Sequence, residues 1–182
     1  KSAKKCTLLG NTIIKRYLVN PKRVSNDMAR DPSDEVSAAF KLIETYAQEY
    51  DFEALLIAAQ GYQESHLDQK KRSKAGAIGI MQVMPATAKD PVVAIPDIHV
   101  AENNVKAGVK YLRFLRDRYF SDPEMTAFDQ TLFSFAAYNA GPGNIRKARR
   151  RAGKMGLNPH VWLGPAPSTN LPMPTKIDAY RS

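Results

Sequence analysis

Very little in this 182-residue chain can hold a metal or a disulfide. It has one cysteine, Cys6, so no internal disulfide can form. Cys6 follows Lys4 and Lys5 rather than the small, apolar residues that precede a lipid-anchored cysteine, and it reads as an incidental thiol. The three histidines, His66, His99 and His160, are far apart and lack the spacing of metal ligands on a helix. Neither a metal nor a cofactor is expected. No apolar run approaches the ~18 residues of a membrane-spanning helix. No stretch alternates apolar and polar residues in the manner of a strand. There is no initiator Met and no signal peptide, so the chain reads as a processed or shortened form whose missing part carries any targeting signal.

What is present suits one all-α domain. Hydrophobic residues make up 43% of the chain, enough for a packed core. The net charge is +9 and unevenly placed. Residues 1–30 hold eight Lys/Arg and one acid, Asp27, leaving the other 152 residues at +2. The reading is a basic arm or interdomain join at 1–30, a body at 31–160 and a Pro-rich tail at 161–182. The arm is either a solvated linker or a segment drawn to an anionic surface.

Five helical segments and a brief sixth are expected. Asp31-Pro32-Ser33 with Asp34 and Glu35 is a helix start, and Val36, Phe40, Ile43, Ala47 and Tyr50 form one apolar stripe. Asp51 is a candidate cap for a second helix, apolar on more than one face through Leu55, Leu56, Ala58, Ala59 and Tyr62. A polar, basic loop over 68–74 follows it, and Pro85 opens a brief helix. A long helix begins near Ala101, another runs from about Asp129 to Asn139, and Gly141-Pro142-Gly143 separates it from a basic helix over 144–153.

Glu64 stands out because it sits at the end of an apolar helical run. Apolar surroundings and the negative end of a helix dipole both disfavour a carboxylate, so its pKa should rise, as a general acid requires. A partner acid is hard to find. Glu53 lies eleven residues earlier, ~16 Å away at ~1.5 Å per residue. Asp68 falls in the polar loop, and no other acid occurs before Asp90. The sequence offers one placed acid and not a pair; taken alone, Glu64 is equally an ordinary helix-end Glu. The basic clusters at 70–74 and 146–151 come with no nucleic-acid motif, so nucleic acid is not an expected partner.

Three separated motifs carry a resemblance: Glu64-Ser65, Gly79-Ile80-Met81-Gln82, and Ala137-Tyr138-Asn139-Ala140-Gly141. A fourth segment is Asn104-Val105-Lys106-Ala107-Gly108 with Tyr111-Leu112. Together, over roughly residues 35–155, they resemble the catalytic domain of the soluble lytic transglycosylases, with the goose-type lysozyme-like fold. The stretch 58–65 is especially similar to the membrane-bound lytic murein transglycosylase F branch. The resemblance implies an enzyme that cuts the β-1,4 bond after N-acetylmuramic acid in peptidoglycan and leaves 1,6-anhydro ends. Glu64 would act first as acid and then as base. Ser73 would contact the sugar's acetamido group, Gln82 and Met84 would line a glycan groove, Tyr138 would support Glu64, and Asn139 would contact glycan or brace its turn.

For Tyr138, Met81 and Met84 the alternative is core packing; Gly79 and Gly141 are backbone devices on either view, and Ser65 reads as a helix-end brace. The implied partners are peptidoglycan strands. The implied place is the periplasm or cell envelope of a bacterium, with outer-membrane association through flanking parts. A lysozyme-like hydrolase and a catalytically idle wall-binding module are the rival readings. Relatives of this branch continue into further helix after a Trp-containing segment, whereas here Trp162-Leu163-Gly164-Pro165 leads into Pro- and Thr-rich sequence.

Overall fold

A computed structural model describes residues 34–162. The basic arm, the expected cap at Asp31 and residues 163–182 of the tail lie outside them. Six helices occur among the described residues: α1 Asp34–Glu49, α2 Ala54–Ser65, α3 Pro85–Lys89, α4 Ala101–Tyr119, α5 Ala127–Ala140 and α6 Pro142–Lys154. The only β pairing there is two isolated bridges, Arg72 with Ile78 and Ile78 with Val83. None of the described helices is long and apolar enough to cross a membrane. The described residues fall into two compact parts, 34–114 and 115–162, with the division inside α4.

In the first part, α1 packs on α2. The buried face of α1 is Ala39, Ile43, Tyr46 and Ala47. The expected stripe had the right period but lay partly off the buried face, for Val36, Phe40 and Tyr50 are only half-buried. The reason lies in Tyr46, whose hydroxyl donates to Glu102 Oε1 of α4 at 2.7 Å. That bond gives the buried tyrosine a polar partner, and together with burial it pushes the phenol pKa up to about 12. The core is completed by Ile57, Ile80, Met81, Val83, Val93, Ile98, Val105 and Leu112. Burying each such side chain contributes about 1.5–3 kcal/mol before entropy is counted.

Asp51 does not cap α2. It sits at φ 58°, while Phe52 N–H reaches back to Ala47 O at 2.8 Å and Asp51 N–H to Gln48 O at 3.3 Å. This pairing closes α1 with a left-handed residue, so Asp51 ends one helix where the sequence suggested that it starts the next. Glu53 precedes α2 without a side-chain cap. The middle of α2 is buried on every side, as its apolar character on more than one face predicts: Ile57, Ala58, Ala59, Gln60 and Gly61 are inside, whereas Leu55 and Tyr62 towards its ends are exposed.

In the second part, α5 packs on α6. Thr126 caps α5, accepting from Asp129 N–H at 3.1 Å and donating to Asp129 Oδ2 at 2.7 Å. Asp129 Oδ1 accepts from Trp162 N–H at 2.6 Å, which ties the end of the described chain to the start of α5. Aromatic residues fill this core. Phe120 stacks on Phe133 at 5.7 Å between centroids, Trp162 meets Phe133 edge-on at 5.1 Å, and the Arg149 guanidinium lies 5.3 Å from the Phe133 centroid.

Candidate active site

Glu64 lies in the last turn of α2, one residue before its end. His66 then adopts φ 61° and Leu67 φ 63°, so the chain leaves the helix through two consecutive left-handed residues. Leu67 is thereby turned inward to Gly61, where an added Cβ would lie 3.0 Å from Leu67 Cδ2. Glu64, two residues before this turn, is half-buried beside the helix end. Burial alone pushes the Glu64 pKa up to about 7. The direction agrees with the sequence reading, and its cause is burial. One polar group meets it on its own helix: Gln60 Nε2–H donates to Glu64 Oε1 at 2.7 Å.

The loop after α2 is held by side chains rather than by sheet. Ser65 Oγ donates to Ile80 O at 2.8 Å and accepts from Asp68 N–H at 3.1 Å. This pins residues 78–83 directly next to the Glu64 turn, and Ser65 acts as a brace. Asn104 of α4, fully buried, accepts from Met81 N–H at 2.9 Å and donates to Ile78 O at 2.8 Å and Ile98 O at 3.1 Å. Gln69 does similar work: its Nε2 donates to Ile98 O at 3.0 Å and His99 O at 2.9 Å, and its Oε1 accepts from Ile80 N–H at 3.2 Å. Gly79 sits where these amides converge, at φ 76°. A Cβ there would lie 2.6 Å from Asn104 Nδ2, so both the space and the backbone angle require glycine. At Gly108 a Cβ would lie 2.5 Å from Met81 Cβ, which lets α4 approach the loop closely.

Ser73 closes the turn of this loop. Its Oγ accepts from Ala77 N–H at 2.9 Å, and its backbone N–H donates to Ala77 O at 3.0 Å. The hydroxyl hydrogen is left to donate outward. Gln82 shares the loop, at φ 48°. Its Nε2 donates to Gly79 O at 2.9 Å and Lys71 O at 3.3 Å, so the side chain folds back on the loop. Met84 is exposed and immediately precedes α3, whereas Met81 is wholly buried. Thus Glu64, Ser73, Gln82 and Met84 all lie on the α2 end and the one loop it leads into.

Tyr138 and Asn139 lie on α5, in the 115–162 part. Tyr138 is half-buried, and exposed Asn139 donates from Nδ2 to Phe135 O at 3.0 Å. Among the described residues no group of three or more His, Cys, Asp or Glu could hold a metal ion. Sequence reasoning gave no roles to Gln60, Gln69 and Asn104. Gln60 had one visible signal, an amide among apolar neighbours in Ala58-Ala59-Gln60-Gly61, and Asn104 stood in the fourth resemblance segment, whereas Gln69 lay among charged residues.

The Transglycosylase SLT domain profile matches residues 41–160. The chain belongs to this family. Its fold is accordingly the all-α, lysozyme-like one. The chain is similar to proteins named membrane-bound lytic murein transglycosylase F. One from Desulfosudis oleivorans is 39% identical over 123 residues, which cover 66% of this chain and 26% of that protein. One from Shewanella denitrificans is 38% identical over 131 residues, or 71% and 25%. One from Maricaulis maris is 38% identical over 122 residues, or 67% and 26%. This SLT-family chain therefore spans about a quarter of the length of the curated relatives it matches. The resemblance drawn from three motifs extends across α2 to α6.

Proposed function

We propose that this chain is a peptidoglycan lytic transglycosylase in which Glu64 serves in turn as acid and base. The observation that carries the reading is a lone carboxyl held protonated near neutral pH by burial, with no neighbouring acid among the causes of its shift. Asp68, the nearest acid along the chain, is exposed and accepts from Lys70 N–H at 2.7 Å. A hydrolase that inverts or retains configuration normally sets a second carboxylate across the bond, ~5–9.5 Å away.

Catalysis then proceeds with one acid. Glu64 gives its proton to the glycosidic oxygen leaving C1 of N-acetylmuramic acid. The sugar's 2-acetamido oxygen supports the positive charge developing at C1, as in substrate-assisted glycosidases. The Glu64 carboxylate next takes the proton from the O6 hydroxyl, and O6 bonds to C1. A 1,6-anhydro ring forms, no water is consumed, and Glu64 regains its proton. Because the first step needs the protonated acid, turnover holds below about pH 7 and declines as pH rises through it.

The Ser73 hydroxyl, free to donate beyond its turn, is suited to the acetamido carbonyl. Gln82 offers glycan its amide oxygen, since its nitrogen is spent on loop carbonyls. Met84 supplies exposed apolar surface, and Tyr138 and Asn139 of α5 are further candidate glycan contacts. The catalytic domain is residues 31–160, flanked by the arm and the tail. The relatives are named membrane-bound, which supports action on glycan strands in the bacterial envelope; the periplasmic side and the outer membrane are the place this reading assigns to it. No nucleic acid is part of this reading. Digestion of purified peptidoglycan by the chain and by Glu64→Gln tests it: anhydro ends from the parent alone support it, and equal cutting by the variant overturns it.

A further inference from the structure

Gln60 is an unusual residue for its position. It occupies the buried face of α2 between Ala59 and Gly61 and is only 1% exposed, where Leu or Met would fill the space without a polar group. Its nitrogen donates to Glu64 Oε1 at 2.7 Å, one helical turn on. Its Oε1 is buried and has no hydrogen-bond partner among the described residues. An orphaned buried carbonyl is costly and calls for an explanation.

A carboxyl that works as acid and then as base exists in two forms with opposite needs. The carboxylate only accepts hydrogen bonds, whereas the protonated acid must also donate one. A primary amide meets both needs through one side chain, turning over about its terminal bond to present nitrogen to one form and oxygen to the other. We propose that Gln60 is the positioning residue for Glu64, its amide holding the carboxylate through Nε2–H and the protonated acid through Oε1. The idle Oε1 is then the acceptor reserved for the acid's O–H, and the amide follows the proton through the catalytic cycle. No titratable group of α1, α2 or the 66–83 loop, whether Glu53, Tyr62, His66, Asp68, Lys70, Lys71, Arg72 or Lys74, is among the causes of the Glu64 shift. That leaves Gln60 as the polar group the carboxyl meets on its helix.

The inference rests on the reading of Glu64 as the acid, but its test does not need glycan cleavage. The full chain, labelled with ¹³C in Glu and ¹⁵N in Gln, is titrated by NMR. The Glu64 side-chain carboxyl is assigned by its loss in Glu64→Gln. The Gln60 amide protons should shift with the Glu64 midpoint, and that shift should be absent in Glu64→Gln. In Gln60→Met, of similar volume and without the amide, the Glu64 midpoint should rise by about one pH unit. The direction follows because the lost bond to the charged form is stronger than the lost bond to the neutral one. On peptidoglycan, kcat should fall about tenfold with KM little changed, as expected when proton transfer and not binding is impaired. Gln60 amide resonances that stay put through the Glu64 midpoint, or a midpoint unchanged or lowered in Gln60→Met, would overturn the proposal. The amide titration needs no variant at Gln60, so it decides the matter even if Gln60→Met does not fold.

Discussion

The two parts of the molecule fix their chains by different means. Residues 34–114 contain the least regular backbone, the 66–83 loop with left-handed residues at His66, Leu67, Gly76, Gly79 and Gln82. No extended sheet supports it, so its backbone groups are met partly by one another, as in the Ile78–Val83 bridge, and partly by Gln69, Ser65 and Asn104. Residues 115–162 are mostly two regular helices whose backbone is satisfied internally. Their core is a stack of Phe120, Phe133, Trp162 and Arg149, with polar contacts at the Thr126–Asp129 cap and from Arg149 Nε–H to Pro159 O. Irregular backbone beside the proposed acid demands directional bonds with one solution. A helical pair tolerates a more forgiving apolar core.

Four predictions from three substitutions sharpen or break this contrast. The largest effect is expected at the acid itself: Glu64→Gln should cut muropeptide release by about 10³-fold while binding to sacculi persists. Retention of turnover would remove Glu64 from the mechanism. Next, Asn104→Leu should cost about 3 kcal/mol in urea unfolding, since it strands Met81 N–H and two carbonyls inside the loop's support. Its residual folded fraction should also lose activity, because the loop carrying Ser73 and Gln82 loses its anchor.

The third concerns Glu64 as a destabilising group. Its pKa is raised from 4.5 to about 7 on folding, so between those values the folded state binds more protons than the unfolded. Stability from this group is full below pH 4.5 and is lost as pH rises through 7. Glu64→Gln should therefore stabilise the chain by up to about 2 kcal/mol at pH 8, allowing for the water the residue still meets, and by almost nothing at pH 4. A gain equal at both pH values would contradict the burial account. The smallest effect is set for the helical pair. Phe133→Leu should cost about 1.5 kcal/mol by trimming the aromatic stack, with turnover per folded molecule within about twofold of the parent. A loss of activity as large as that of Asn104→Leu would erase the distinction between the two parts.

Much of this was readable from the residues because helices announce themselves by period and punctuation. Pro85 does open a helix, Gly141 does divide α5 from α6, and Glu64 does fall at the end of α2, although α6 starts at Pro142 and not at the expected Asn144. Caps were harder. Asp51 carries a side chain suited to starting a helix, yet a bond from Phe52 N–H to Ala47 O, which depends on the backbone path, made it the end of the one before. Helix faces were blurred for the same kind of reason: Leu55 and Tyr62 are apolar and exposed, while Gln60 is polar and buried. Which face turns inward is decided by partners far along the chain, as Glu102 decides for Tyr46. Asn104 and Gln69 were least visible, since an amide that braces a loop across 20 to 30 residues looks in sequence like any surface amide.

The most direct measurement is the mass of the muropeptides released from purified sacculi in ¹⁸O-labelled water. One buried carboxyl passing a single proton out and back predicts ends lighter by one water, with no label incorporated. Reducing ends carrying ¹⁸O would show that water attacks C1, and would contradict the account.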